Sequence, residues 1–419
     1  MVIIKQSADN FANGNNIFKS FRNRIIWLIG HIYFRSLTLE GVENLPPQGL
    51  IIFVSNHRNG AADGLVVKTL FPRTFLIVGT NFTKFFYTRF LLKGNVDIHR
   101  APRHDTERLF NQHQMAVAAH RASAGEAVVM FPEGTSKLGP SLLPLKKGIF
   151  YLCRDIVLAA QGQPVFLVPL GLHYERGWVF RSAALVRIGE AKLIKNTDMT
   201  DVDCFMKWLD GIMRQVTINY ADKKEQVTAE RFAAFSSSYC RHFSHEEICR
   251  LFAAGDVPSK LTDEYLRIMQ ETEPQTHCES LLIHENHLWR GLALLIILTP
   301  LVAVTFILNF LPAGTSWLAA RSLADDDNVI TLWRLLTAIP LVLLEWLAGL
   351  VFLFLFCSAG TAAMAVALYL VVTAAGIQVY HPWKCLLIKT VNQFTRPVQD
   401  IRNLIQKIRQ WCRNRKTIK

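Results

Sequence analysis

Two short stretches of this chain combine residue types able to move a proton and to hold an anion. In Ser55-Asn56-His57-Arg58-Asn59-Gly60-Ala61-Ala62-Asp63 a histidine follows the apolar run Ile51–Ser55, and an aspartate stands six positions later. A carboxylate bonded to one ring nitrogen fixes the tautomer, makes the other nitrogen more basic and turns the imidazole into a general base. That is two-thirds of a hydrolase triad, with a substrate hydroxyl in place of the serine. The same pair also reads structurally, as a strand-end histidine beside a helix-capping aspartate. The second stretch is Val128-Val129-Met130-Phe131-Pro132-Glu133-Gly134-Thr135-Ser136, continuing through Leu142-Leu143-Pro144-Leu145-Lys146-Lys147-Gly148. Here Pro and Gly tighten a turn, while Thr135 and exposed N–H groups offer donors to an anion. Lys146 adds charge at the next helix start, and Glu133 is expected to accept from a polyol hydroxyl. As a bare turn the segment would need none of this.

Two further sites are weaker. Asn95-Val96-Asp97-Ile98-His99-Arg100 puts Arg100 where it can grip a phosphate with both guanidinium arms, although loop arginines are commonly solvated. Val168-Pro169-Leu170-Gly171-Leu172-His173-Tyr174 reads as a strand that shapes a wall. Cys240, His242, His245 and Cys249 could be drawn as a zinc site, but their spacing matches no zinc pattern, and no metal is expected.

Positioning these residues requires strands, and the sequence supplies them. Ile51–Ser55, Phe75–Val78, Ala127–Phe131 and Val165–Pro169 are short continuous apolar runs, the mark of strands buried on both faces. Helix-like stretches such as Asp105–Ala124 separate them. The expected fold is α/β, a largely parallel sheet flanked by helices, with ligands at the carboxyl ends of the strands.

Charged residues make up only 19% of the 419-residue chain and hydrophobic ones 51%, which argues against disorder and against a plain cytosolic enzyme. The apolar excess lies between Gly291 and Tyr380, where Arg321, Asp325, Asp326, Asp327, Arg334 and Glu345 alone carry charge. Gly291–Ala320 is one uncharged block; Leu335–Leu355 and Thr361–Tyr380 form a second, long enough at ~1.5 Å per residue for two bilayer crossings. Pro300 and Pro312 mark the first block as the re-entrant or interfacial one, so two full spans plus an irregular one are expected. Of the net charge of +13, the tail from His381 holds ten Lys and Arg against one Asp. A basic segment after a span reads as a cytoplasmic anchor for anionic lipid, ahead of nucleic-acid binding. Eight cysteines without framework spacing, and a polar Met1–Asn16 without a signal-peptide core, suggest a reducing, cytosol-facing catalytic part.

The layout expected is an N-terminal interfacial amphipathic helix (1–36), a catalytic domain (37–196) and a helical extension (197–287). A membrane region of two to three hydrophobic helices (288–381) and a basic cytoplasmic tail (382–419) follow. In the first segment Phe21, Ile25, Leu28, Ile29 and Ile32 line one helix side, with Arg22, Arg24 and Arg35 around it, a pattern suited to the interface or to packing on the core.

The order His57…Asp63, Ile98-His99-Arg100, Phe131-Pro132-Glu133-Gly134 and Val168-Pro169 resembles the glycerophospholipid acyltransferase family, over roughly Leu37 to Gly189. Five residues separate His57 from Asp63 where most members have four. That insertion resembles the fungal-type glycerol-3-phosphate/dihydroxyacetone-phosphate acyltransferases, as do Leu142–Lys146, His173-Tyr174, Phe180-Arg181-Ser182 and Asn328–Arg334. The resemblance implies a membrane-bound O-acyltransferase of phospholipid synthesis. In it His57 takes a proton from the acceptor hydroxyl, which attacks the thioester of acyl-CoA or acyl carrier protein directly. Asp63 would orient His57, and Arg100, Glu133, Gly134, Thr135 and Lys146 would hold a phosphorylated glycerol-type acceptor. It implies no cofactor, no metal and no nucleic acid; membrane lipids are partners, and the catalytic domain faces the cytoplasm. A lysophosphatidate or lysophospholipid acyltransferase would use the same motifs. A catalytically silent lipid-binding scaffold would use none of them.

Overall fold

A computed structural model describes residues 17–80, 86–240, 242–271, 288–395 and 398–416. The chain divides into two units, the first running through Asn219 and adding Leu323–Leu336, the second comprising Tyr220–Ser322 and Thr337–Lys419.

The first unit is built on an eight-stranded sheet of β1 (Ser36–Glu40), β2 (Leu50–Ser55), β3 (Phe75–Gly79), β4 (Val96–Ile98), β5 (Val128–Met130), β6 (Val165–Tyr174), β7 (Ala183–Ile188) and β8 (Lys192–Ile194). The order is β1-β7-β6-β2-β5-β3-β4, with β8 on β6. From β6 through β4 all pairings are parallel, while β7 and β8 run antiparallel to β6. The continuous apolar runs follow from burial on both faces. Leu50, Ile52 and Val54 of β2 enter one core, and Ile51 and Phe53 enter the other. The carboxyl ends of β6, β2 and β5 therefore emerge side by side, and the candidate residues follow them.

Helices α1 (Ile17–Tyr33), α2 (Gly60–Leu70), α3 (Phe86–Leu91), α4 (Asp105–Ser123), α5 (Gly148–Ala159) and α6 (Val202–Val216) complete this unit. Helix α6 differs from the expected layout, in which the catalytic domain stops at 196. Asp201 caps it, accepting from the N–H groups of Asp203 and Cys204, and its Phe205, Leu209, Ile212, Met213 and Val216 join the sheet's core. Helix α1 docks on α2 through Ile26, Gly30 and Tyr33. A side chain at Gly30 would collide with Thr69, while Phe21, Trp27 and Leu28 stay exposed. Arg181, held at φ +63°, donates from Nη1 to the carbonyls of His31 (2.7 Å) and Phe34 (3.2 Å), tying the end of α1 to the β6–β7 connection.

In the second unit α7 (Lys223–Ser237), α8 (His245–Ala253), α9 (Ser259–Glu271) and α14 (Val398–Lys416) pack around Phe232, Phe235, Tyr265, Leu404 and Ile408. A Cys240–Cys412 disulfide closes them across 172 residues, which corrects the expectation of unpaired cysteines there and removes Cys240 from any zinc set. Lys407 pairs with Glu264 and Arg415 with Asp256. The basic tail is thus not a free anchor: its apolar face is spent inside the protein, with Arg409 and Arg413 outside.

The apolar region forms α10 (Leu288–Leu308), α11 (Phe310–Leu323), α12 (Asp327–Phe356) and α13 (Ala359–Thr395). Three helical stretches, Trp289–Leu308, Asp327–Phe356 and Ala359–Asn392, are long and apolar enough to cross a bilayer, and the chain is a membrane protein. The uncharged first block breaks at Asn309, and its first part is a continuous helix through Pro300, tolerated where neighbouring groups re-satisfy the backbone. Helices α10 and α13 touch closely at Gly376, where a Cβ would lie 1.8 Å from Thr305 Oγ1.

Candidate active site

Strand β2 ends at Ser55 and Asn56 fastens it to β6, with Nδ2 donating to Leu172 O (3.1 Å) and Oδ1 accepting from Leu172 N (2.7 Å). His57 follows. Its Nδ1 lies 2.6 Å from Asp63 Oδ2, and its ring stacks on Phe131, with centroids 4.6 Å apart. Asp63 sits in the first turn of α2, where the helix dipole favours a carboxylate, and its Oδ2 also accepts from Asn59 N at 2.9 Å. The extra residue between His57 and Asp63 does not displace the carboxylate. Gly60, at φ +42°, opens the helix in a conformation that side-chain-bearing residues rarely adopt.

Asp63 has a third partner, one that the sequence hides. The hydroxyl of Tyr174, last residue of β6, donates to Asp63 Oδ1 at 2.5 Å. Burial, then the adjacent Asp63 charge, pushes the Tyr174 phenol well above its ordinary range, so it stays a donor. His57, Asp63 and Tyr174 form one buried chain that leaves the carboxylate no freedom to turn.

The Phe131–Gly134 turn closes by Gly134 N donating to Phe131 O (3.1 Å), and Lys146 N donates to Pro132 O (2.7 Å). Glu133 does not reach outward. It is 3% exposed, Oε1 accepts from His57 N at 2.6 Å and Oε2 from Leu143 N at 2.9 Å. The expectation that it contacts a polyol is corrected: the carboxylate straps the His57 loop to the turn, because two N–H groups buried there need an acceptor. Burial lifts its pKa, opposed by those two bonds. Lys137 N completes the strap on His57 O at 3.1 Å.

At the rim, Gly134 (φ +70°) and Thr135 are exposed, and the Lys146 stem folds over Gly134, 3.3 Å from where a Cβ would stand. Arg58 lies half-buried next to His57, its charge felt by Glu133 and Tyr174. Arg100 bends over Gly79 at the end of β3, on the same sheet edge but beyond β5; burial lowers its pKa. The structure thus brings His57, Asp63, Glu133, Gly134, Thr135 and Lys146 together, and sets Arg100 two strands from His57. Sequence reasoning gave Tyr174, Asn56 and Asn59 no role in the site, although all three stand in the quoted stretches. For Tyr174 the available signal was a phenol ending a buried strand, where a hydroxyl requires a partner. A polar cleft of about 630 Å³ among Glu40, Arg187, Gly189 and Gln215 lies at the opposite sheet edge, past the carboxyl ends of β1 and β7.

Part of the chain is similar to known proteins. The family model described as Acyltransferase matches residues 36–173. Glycerol-3-phosphate O-acyltransferase 2 of Saccharomyces cerevisiae (strain ATCC 204508 / S288c) is 34% identical over 103 residues, 23% of this chain and 14% of that protein. The chain therefore spans only a small part of that relative. The 1-acyl-sn-glycerophosphate (LPA) acyltransferase PlsC from Thermotoga maritima aligns over 47% of this chain and 79% of its own, at 17% identity and a TM-score of 0.36. The histidine, the aspartate and the Phe-Pro-Glu-Gly turn interlock inside the segment that matches the Acyltransferase family, and the chain is similar to glycerophospholipid acyltransferases.

Proposed function

We propose that the protein is a membrane-bound O-acyltransferase that transfers a fatty acyl group from an acyl thioester to a hydroxyl of glycerol 3-phosphate or dihydroxyacetone phosphate. The observation that carries this reading is the 2.6 Å contact from His57 Nδ1 to Asp63 Oδ2. Nδ1 is thereby committed as donor, so Nε2 is the nitrogen with a free lone pair. It takes the proton of the acceptor hydroxyl as that oxygen bonds to the thioester carbonyl carbon. The carbon–sulfur bond then breaks, and the imidazolium returns its proton to the departing thiolate. His57 is the general base and Asp63 its orienter.

Lys146, Arg58 and the N–H groups about Gly134 and Thr135 supply positive potential for the acceptor phosphate, with Arg100 farther along the sheet edge. Acyl-CoA or acyl carrier protein is the donor substrate, and no resident cofactor or metal enters the step. The long-chain product partitions into lipid, which fits apolar helices in the same chain and the exposed Phe21, Trp27 and Leu28 of α1. The basic α14 after the last apolar helix supports a cytoplasmic orientation of the catalytic unit.

The test supplies purified protein with labelled acyl-CoA, then acyl carrier protein, and each acceptor in turn. Faster acylation of glycerol 3-phosphate than of lysophosphatidate is expected, with loss of about 10²–10⁴-fold in His57→Ala. Preference for lysophosphatidate overturns the acceptor assignment. Activity of His57→Ala near wild type overturns the mechanism, and an inactive wild type leaves a lipid-binding scaffold.

A further inference from the structure

The first turns of α12 belong to the α/β unit, although the 103 residues Tyr220–Ser322 of the second unit separate them from it in sequence. Their seat is specific. Thr331, fully buried, accepts from the Tyr33 hydroxyl at 3.0 Å and donates to Gly177 O at 3.3 Å. Arg334 donates to Trp178 O, and Leu335 packs against the core formed by β2, β6 and β7.

One residue of this segment reaches the motif itself. Asn328, 5% exposed, donates from Nδ2 to Ser136 O at 2.5 Å and to Ser136 Oγ at 3.0 Å. Its own carbonyl oxygen lies 3.0 Å from where a Cβ on Gly60 would stand. Asn328 thus touches both halves of the machinery: the end of the Phe131–Ser136 turn, and the glycine that opens α2 three residues before Asp63. An aspartate of equal shape would set a carboxylate oxygen against the Ser136 carbonyl, so the contact specifies an amide donor. Asn328 Oδ1 is buried without a partner among the described residues, so the position carries an uncompensated desolvation cost. A purely structural position would be filled as well by an apolar side chain.

We propose that Asn328 is a positioning residue for acyl transfer, bracing the Phe131–Ser136 turn against the His57–Asp63 loop, so that the start of an apolar helix forms part of the active site. This inference rests on the acyltransferase reading above. The brace acts on the placement of the acceptor relative to His57, for which displacement of about 1 Å typically lowers rates by ~10²-fold.

The experiment compares full-length wild type with Asn328→Asp, Asn328→Ala, Ser136→Ala, the Asn328→Ala/Ser136→Ala double variant and His57→Ala in one acyl-transfer assay. Melting temperature and amide hydrogen exchange over residues 131–137 are measured alongside. Asn328→Asp is expected to lose about 10–100-fold, chiefly in kcat, to melt within a few degrees of wild type and to exchange faster over 131–137. The two alanine variants should be non-additive, as for residues in direct contact. An active wild type with an inactive His57→Ala, but Asn328→Asp within twofold in kcat, overturns this inference alone. So does a kcat loss matched by general unfolding in both Asn328 variants. An inactive wild type overturns the acyltransferase reading instead, and unchanged exchange over 131–137 then still refutes the brace.

Discussion

Replacing Tyr174 with phenylalanine removes a single oxygen from the deepest point of the site. The bond lost is 2.5 Å long and joins two buried groups, one an anion. Hydrogen bonds to charged groups contribute about 1.5–3 kcal/mol, and each 1.36 kcal/mol on a barrier is about tenfold in rate. If the whole contribution serves to hold Asp63 toward His57, kcat falls by roughly 10–100-fold. The acceptor KM is expected to stay put, because the phenol is buried and its hydroxyl is spent on Asp63. Asp63→Asn, which alters the orienter itself, should fall further, toward about 10⁴-fold. The assay is release of free thiol from acyl-CoA by the purified full chain, with kcat and KM measured for each variant. A Tyr174→Phe enzyme within twofold of wild type, or one whose defect lies entirely in KM, would refute the idea that the tyrosine holds the dyad.

Glu133 gives a pH signature. Its folded pKa is raised by burial, so the folded protein binds that proton more tightly than the unfolded chain, and this group's contribution to stability declines as pH rises from the ordinary carboxyl range through the raised value. Glu133→Gln should lose that slope and be less stable at acid pH by about 1–3 kcal/mol, since one amide N–H must face a backbone N–H; parallel melting-versus-pH curves would contradict it. Removing the Cys240–Cys412 bridge by a double serine substitution should destabilise the helical unit by up to about 5 kcal/mol for a loop of this length, and melting unchanged by substitution or by reductant would count against it. Arg409→Gln with Arg413→Gln should weaken binding to anionic vesicles by about 1 kcal/mol per charge, more at low salt than at high; salt-independent flotation would exclude an electrostatic role for α14.

The sheet was legible because its strands are buried twice over. A run such as Ile51–Val54 needs no polar alternation, and its partners at Val128–Met130 and Val165–Val168 look the same. His57 and Asp63 were legible because they are near in sequence and chemically distinctive. Glu133 was visible as an acceptor, but its donors were not: a sequence cannot say whether two orphaned backbone N–H groups or a substrate will claim a carboxylate. Tyr174 meets Asp63 across 111 positions, with no periodicity to betray it. Helix α6 reads from sequence only as a helix, and a helical pattern does not say which surface it packs against; its Phe205, Leu209 and Met213 cover the sheet. Cys240 and Cys412, 172 positions apart, share no spacing pattern that signals a bridge.

The chain leaves the α/β unit at Asn219 and is back in it at Leu323, with a single candidate span among the described residues, Trp289–Leu308, in between. One folded body cannot straddle a bilayer, so both flanks of that helix share a compartment. The 14 residues of Phe310–Leu323, rising ~1.5 Å each, cover about 21 Å, short of a hydrocarbon core of ~30 Å. The expected arrangement is that the first pair enters and leaves on one side and that the second pair crosses out and back. This parity predicts that a membrane-impermeant thiol reagent added from the side of the α/β unit labels Cys204 and misses Cys357.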